Sequence, residues 1–134
     1  MGKNAAAPGF FEKRDLLYAG EPDASALSAR GREFLEAGLL DVALELFARA
    51  GNAEGLAEVD AAAFRAGDAF SFEAARKALG KTASAEEWVA VGERAFEAGL
   101  LWFAYRSFEK ADHQEGLERT RREMFHAGIT PESR

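Results

Sequence analysis

Glu36-Ala37-Gly38-Leu39-Leu40 returns 61 residues later as Glu97-Ala98-Gly99-Leu100-Leu101, and the reading of the fold starts from that recurrence. Laying Gly31–Gly67 over Gly92–Gly128 leaves 15 of 37 positions identical. A chain this rich in alanine would give about three by chance, so the sequence carries an internal repeat. Ala43 and Phe47 return as Ala104 and Phe108, and Glu54-Gly55-Leu56 returns as Glu115-Gly116-Leu117. Small residues recur where backbones must approach, and large ones where a core must be filled.

Outward from these copies the pattern is helical. Leu39, Leu40, Ala43, Leu46, Phe47 and Ala50 keep a 3.6-residue period, as do Leu100, Leu101, Ala104, Phe108 and Ala111. The three prolines, Pro8, Pro22 and Pro131, leave everything from Asp23 to Thr130 free of obligatory helix breakers. Stop and start signals divide that stretch. Gly51-Asn52 and Gly67-Asp68 each pair a left-handed helix end with an N-cap, and Ser84-Ala85-Glu86-Glu87 has the form of a capping box. The expected helices cover 24–37, 39–50, 53–66, 69–79, 85–98, 100–111 and 113–127, with a short extra helix at 10–18. Connections this short make consecutive helices antiparallel neighbours. Residues 1–22 are expected to form an N-terminal arm carrying the extra helix, 23–128 the repeat domain, and 129–134 a tail.

Trp88, Val91, Gly92, Ala95, Gly99, Leu101, Ala104, Phe108 and Ala111 follow the spacing of a tetratricopeptide repeat, whose pattern opens W-x2-L-G-x2-Y. Leu27, Gly31, Phe34, Gly38, Leu40, Ala43, Phe47 and Ala50 keep the same register without the tryptophan. The chain therefore resembles a divergent tetratricopeptide-type α-solenoid. Two units of about 34 residues would place the copies about 68 apart, so the intervening unit is about seven residues short. The resemblance implies an all-α fold: antiparallel hairpins stacked as a short right-handed α-solenoid, with 113–127 as the C-terminal capping helix.

Composition limits the chemistry. The 134 residues are 48% hydrophobic, enough to build one core without disulfides or a structural metal. There is no cysteine, which removes thiol catalysis and thiolate metal sites and suits a cytoplasmic protein. The net charge of −6 disfavours nucleic acid as a partner, because phosphate binding needs clustered cations. No apolar run reaches the ~20 residues of a membrane span. Arg119-Thr120-Arg121-Arg122 is interleaved with Glu115, Glu118 and Glu123, as on a solvated helix face. Glu123 and His126 make one Glu-x-x-His pair where a di-metal bundle needs two, and His113 sits at a helix start, where a surface or capping role is expected. No nucleophile, phosphate-loop or zincin motif occurs, so neither catalysis nor a cofactor is expected.

Partner binding is the expectation that remains. By resemblance, the first helix of each hairpin lines a concave groove: Arg32, Leu35 and Glu36 in the first unit, Phe64 and Arg65 in the second, Glu86, Val89, Glu93, Phe96 and Glu97 in the third, and Arg122 and Phe125 on the last helix. Leu35, Phe64, Phe96 and Phe125 would form an apolar row in an acidic surround, matched to a protein or peptide whose basic residues flank an apolar face. The alternative is a homo-oligomeric or accessory subunit joined through Trp102, Phe103 and Tyr105, since Trp102 replaces Asp41 of the first copy.

Overall fold

The computed structural model describes residues 23–131. Seven helices and no strand occur among them: α1 (Ala24–Glu36), α2 (Leu40–Ala50), α3 (Ala53–Ala66), α4 (Ala69–Ala78), α5 (Ala85–Glu97), α6 (Leu101–Ala111) and α7 (Gln114–His126). Where these limits differ from expectation, the extra residue is a cap: Leu39, Leu100 and His113 precede helices, and Ala37, Leu79, Ala98 and Ala127 follow them. The expected helix at 10–18, the rest of the arm, and residues 132–134 of the tail lie outside the described residues.

Local chemistry fixes the boundaries. Asn52 Oδ1 accepts from Gly55 N at 2.9 Å, and Asp68 Oδ1 accepts from Ser71 N at 3.0 Å. The capping box is complete: Ser84 Oγ accepts from Glu87 N at 3.1 Å while Glu87 Oε1 accepts from Ser84 N at 2.9 Å. His113 stands where Asn52 stands in the first copy and caps α7 with Nδ1, which accepts from Gly116 N at 3.0 Å. Gly51 ends α2 at φ 67°, whereas Asp112 ends α6 at φ 54°, the one positive φ of a non-glycine residue among those described. Aspartate tolerates that region better than most side chains.

Every substantial contact joins helices one or two apart in sequence. Beyond successive neighbours, α1 meets α3, α3 meets α5 and α5 meets α7, while α2 meets α4 and α4 meets α6. The helices therefore stand in two rows, α1-α3-α5-α7 and α2-α4-α6. Three clusters fill the space between them. One contains Ala43, Phe47, Leu56, Val59 and Ala75, the next Ala63, Ala69, Phe72, Trp88 and Val91, and the third Ala95, Ala104, Phe108 and Leu117.

The repeated glycines and phenylalanines explain one another. Phe47, fully buried, lies against Gly31 of α1 and Gly55 of α3. A Cβ built on Gly31 would sit 2.9 Å from Phe47 Cε1, and one on Gly55 would sit 2.4 Å from Phe47 Cδ1. Phe108 repeats the arrangement between Gly92 of α5 and Gly116 of α7, at 2.8 and 2.4 Å. Each ring thus belongs to a helix of one row and fills the gap between two helices of the other. It reaches that depth because neither neighbour carries a side chain at the contact.

Candidate functional site

The α1-α3-α5-α7 row carries all the groove residues expected from the sequence, and they divide into two groups. The first ties adjacent helices together. Arg32 of α1 donates to Glu58 of α3, and Arg119 Nη2 of α7 donates to Glu93 Oε1 of α5 at 2.7 Å. Residue 93 is the counterpart of 32 and residue 119 the counterpart of 58, so the same ion pair occurs in both copies with its charges exchanged. Glu58 holds the Arg32 guanidinium above its ordinary pKa, first by hydrogen bonding and then by charge, with smaller contributions from Glu36 and Glu54. Aromatic rings sit at the same joints. Arg94 of α5 lies over Phe64 of α3 at 4.9 Å from the centroid, and Arg119 lies over Phe96 of α5 at 4.5 Å. Phe64 and Phe96 are half-buried, as are Leu35 and Val89, each packed onto a core cluster.

The second group is open to solvent. Glu36, Arg65, Glu86, Glu97, Arg122 and Phe125 are all exposed. Phe125 is 79% exposed, although its counterpart Phe64 is enclosed by Phe72 at 5.8 Å and by Arg94. Its nearest ring is the adjacent His126, edge-on at 6.1 Å. Apart from the two internal ion pairs, the exposed charges of the row are Glu33, Glu36, Glu54, Glu86, Glu97, Glu115, Glu118 and Glu123 against Arg65, Arg94, Arg121 and Arg122, still an acidic face.

The other row and the central joint are also held by charge. Arg76 of α4 bridges α3 and α5: its Nε donates to Asp60 Oδ2 at 2.8 Å, and Nη1 and Nη2 donate to the two oxygens of Glu87 at 3.0 and 2.9 Å. The paired hydrogen bonds from Arg76, then the one from Ser84 N, hold the Glu87 carboxyl down at about 2. Arg76 itself is raised, chiefly by hydrogen bonding to Glu87. Between α4 and α6, Glu73 accepts from Arg106 Nη2 and from Lys110 Nζ, each at 2.9 Å. Burial pushes the Glu73 carboxyl up, but these two cations outweigh it and hold it below its ordinary value.

Trp102, Phe103 and Tyr105 are half-buried. Phe103 turns into the cluster around Phe72 and Trp88. Trp102 meets Tyr105 edge-on at 6.1 Å, and Arg121 lies over the Tyr105 ring at 5.5 Å. Trp102 also lines a cavity of about 330 Å³ with Leu100, Leu101, Phe103 and Ile129, so the chain after α7 returns to the start of α6. No group of three or more His, Asp and Glu residues suited to a metal occurs among the described residues. None of the helices among the described residues is long and apolar enough to cross a membrane.

Three residues that bind the row together, Glu58, Arg94 and Arg119, were not among those expected from the sequence. The exchange of sign between positions 32 and 58 and positions 93 and 119 was a readable signal for the first and last. No such signal marks Arg94. Comparison with protein-family models, curated proteins and solved structures gives no match.

Proposed function

We propose that this protein is a non-enzymatic adaptor: a short right-handed α-solenoid of the tetratricopeptide type that holds a segment of another protein on its α1-α3-α5-α7 row. The observation that carries the reading is Phe125, a large aromatic left 79% exposed on the last helix of that row, where the equivalent ring one copy earlier is enclosed. An exposed aromatic of this kind is the usual anchor of a protein interface. Exposed Glu86, Glu97, Glu115 and Glu118 on the same row and its acidic balance favour a segment whose lysines or arginines flank an apolar face. The ion pairs and stacked arginines between α1, α3, α5 and α7 support a surface ordered before the partner arrives, which lowers the entropy cost of binding.

The test is calorimetric titration with amphipathic helical peptides that present a leucine and phenylalanine face bordered by lysines. The wild type binds, and the double variant Phe125→Ala, Glu97→Lys binds at least tenfold more weakly, about 1.4 kcal/mol, with its unfolding midpoint unchanged. Glu93 is left alone, because its substitution would break the pair with Arg119. A wild type that binds none of the peptides, or a variant that binds them equally well, removes the reading.

A further inference from the structure

The helices alternate in direction, so α1, α3, α5 and α7 end on one edge of the stack, where α2, α4 and α6 begin. Gly67, the cap of α3, lies against the backbone of Ala95 near the end of α5. Leu40 at the start of α2 packs on the clusters of both Phe47 and Phe72, and Ile129, beyond α7, lines a cavity with Leu100. The three turns and the end of α7 are therefore neighbours. All four exposed large hydrophobic residues among those described, Leu39, Phe70, Leu100 and Phe125, lie on this edge. The opposite edge carries polar turns instead: Gly51-Asn52, Lys81-Thr82 and Asp112-His113.

Two of the four stand where local chemistry disfavours them. Leu39 and Leu100 are the N-caps of α2 and α6, and neither makes a side-chain cap hydrogen bond. Leucine is among the poorest N-caps, because it offers no acceptor to the free amides of the first turn. The backbone does not demand it. Asn52 and Asp68 hold the same place, one residue after a left-handed glycine and with the same backbone bond into the preceding helix, and each caps the helix that follows. A side chain that recurs in both copies against its local preference, 49% exposed in one and 39% in the other, points to a use outside the fold.

Charge selects the occupant. The last turns of the odd helices and the first turns of the even ones expose Glu33, Glu36, Asp41, Glu97 and Glu123 against Arg65, Arg94 and His126. Two such edges repel each other, and an anionic bilayer repels either of them. The cavity between Leu100, Trp102 and Ile129, about 330 Å³, is at the small end of ligand pockets and suits an apolar side chain. We propose, resting on the adaptor reading, that the partner is a basic amphipathic segment of another protein that lies along this edge as well as on the α1-α3-α5-α7 row. One of its apolar side chains enters the cavity, others cover Leu39, Phe70 and Phe125, and its lysines or arginines stand beside Glu36 and Glu97.

Leu39→Asn with Leu100→Asn copies the chemistry of Asn52 and separates a role in the fold from a role in binding. Titrated with the lysine-bordered helical peptides, this double variant is expected to bind at least tenfold more weakly than the wild type, while its urea midpoint stays the same or rises. Phe70→Ser, also off the α1-α3-α5-α7 row, is expected to weaken binding at least threefold, and Lys81→Ser on the opposite edge to leave it unchanged. A lower midpoint in the double variant assigns the leucines to the fold and overturns the proposal. Unchanged affinity in either edge variant, or an equal loss in Lys81→Ser, overturns it too; if Phe125→Ala, Glu97→Lys still loses binding, the adaptor reading then stands alone. A wild type that binds none of the peptides ends both. Vesicles of phosphatidylcholine with phosphatidylserine, and sedimentation of the protein by itself, test the other occupants. Vesicle binding or a dimer that the double variant abolishes overturns the choice of a basic protein segment.

Discussion

The two copies build the same joint from different parts. In the first, Phe47 sits between Gly31 and Gly55, Asn52 caps the following helix, and Arg32 reaches Glu58. In the second, Phe108 sits between Gly92 and Gly116, His113 does the capping, and the ion pair is reversed as Glu93 and Arg119. Steric elements are kept letter for letter, whereas polar elements are kept only in kind. A ring pressed on bare backbone tolerates no other volume, while a cap needs only an acceptor and a salt link needs only opposite signs.

The largest effects are expected at the rings. Phe47→Ala and Phe108→Ala should each cost about 3–5 kcal/mol, because the glycines facing them cannot fill the space left behind. Urea unfolding reads this, and a loss confined to one copy would show that the two joints are not equivalent. Next come the glycines: Gly55→Ala and Gly116→Ala each place a methyl 2.4 Å from a fixed ring and should cost about 1–3 kcal/mol. If either substitution is neutral, the close approach is not what preserved the residue.

The central joint has no partner in the repeat, and its test is pH. Glu87 falls from the ordinary value of 4.5 to about 2 in the fold, so its stabilising share is complete above pH 4.5 and disappears as pH falls towards 2. Glu87→Gln should flatten the acid limb of the stability curve between those values, measured by unfolding at a series of pH values, while leaving its shape above pH 5 unchanged. A steep limb in the variant would assign acid sensitivity to other carboxylates.

The smallest effect probes the exchanged charges. Arg32→Glu alone should lower the urea midpoint only slightly, as expected for a solvent-exposed pair, and adding Glu58→Arg should restore it by converting the first copy to the polarity of the second. A double variant as weak as the single one would mean that surrounding charges, Glu36 and Glu54 above all, fix the sign.

Helix limits were legible because stop and start chemistry is local: Gly51, Asn52, Asp68 and Ser84 act on amides within a few residues of themselves. For His113 the sequence left a surface or a capping role open, and the structure makes it the cap. The groove residues were legible only as a set. Sequence spacing puts Arg32, Phe64, Glu93, Phe96 and Phe125 on first helices of hairpins, but not which of them a neighbouring helix engages. Arg94 shows the limit: it was read as neither core nor groove, yet it covers Phe64 from the next odd helix.

What the linear chain settled is the number of helices between 23 and 128, their caps, and the equivalence of two glycine-phenylalanine joints, all consequences of periodicity and of short-range hydrogen bonding. Three-dimensional packing decided the rest. It chose which groove candidates became internal ties, half-covered Phe64 while leaving its counterpart Phe125 in solvent, and turned Phe103 inward beside Trp88. Those outcomes depend on whether another helix follows or precedes in space, and no residue encodes the presence of its neighbour's neighbour.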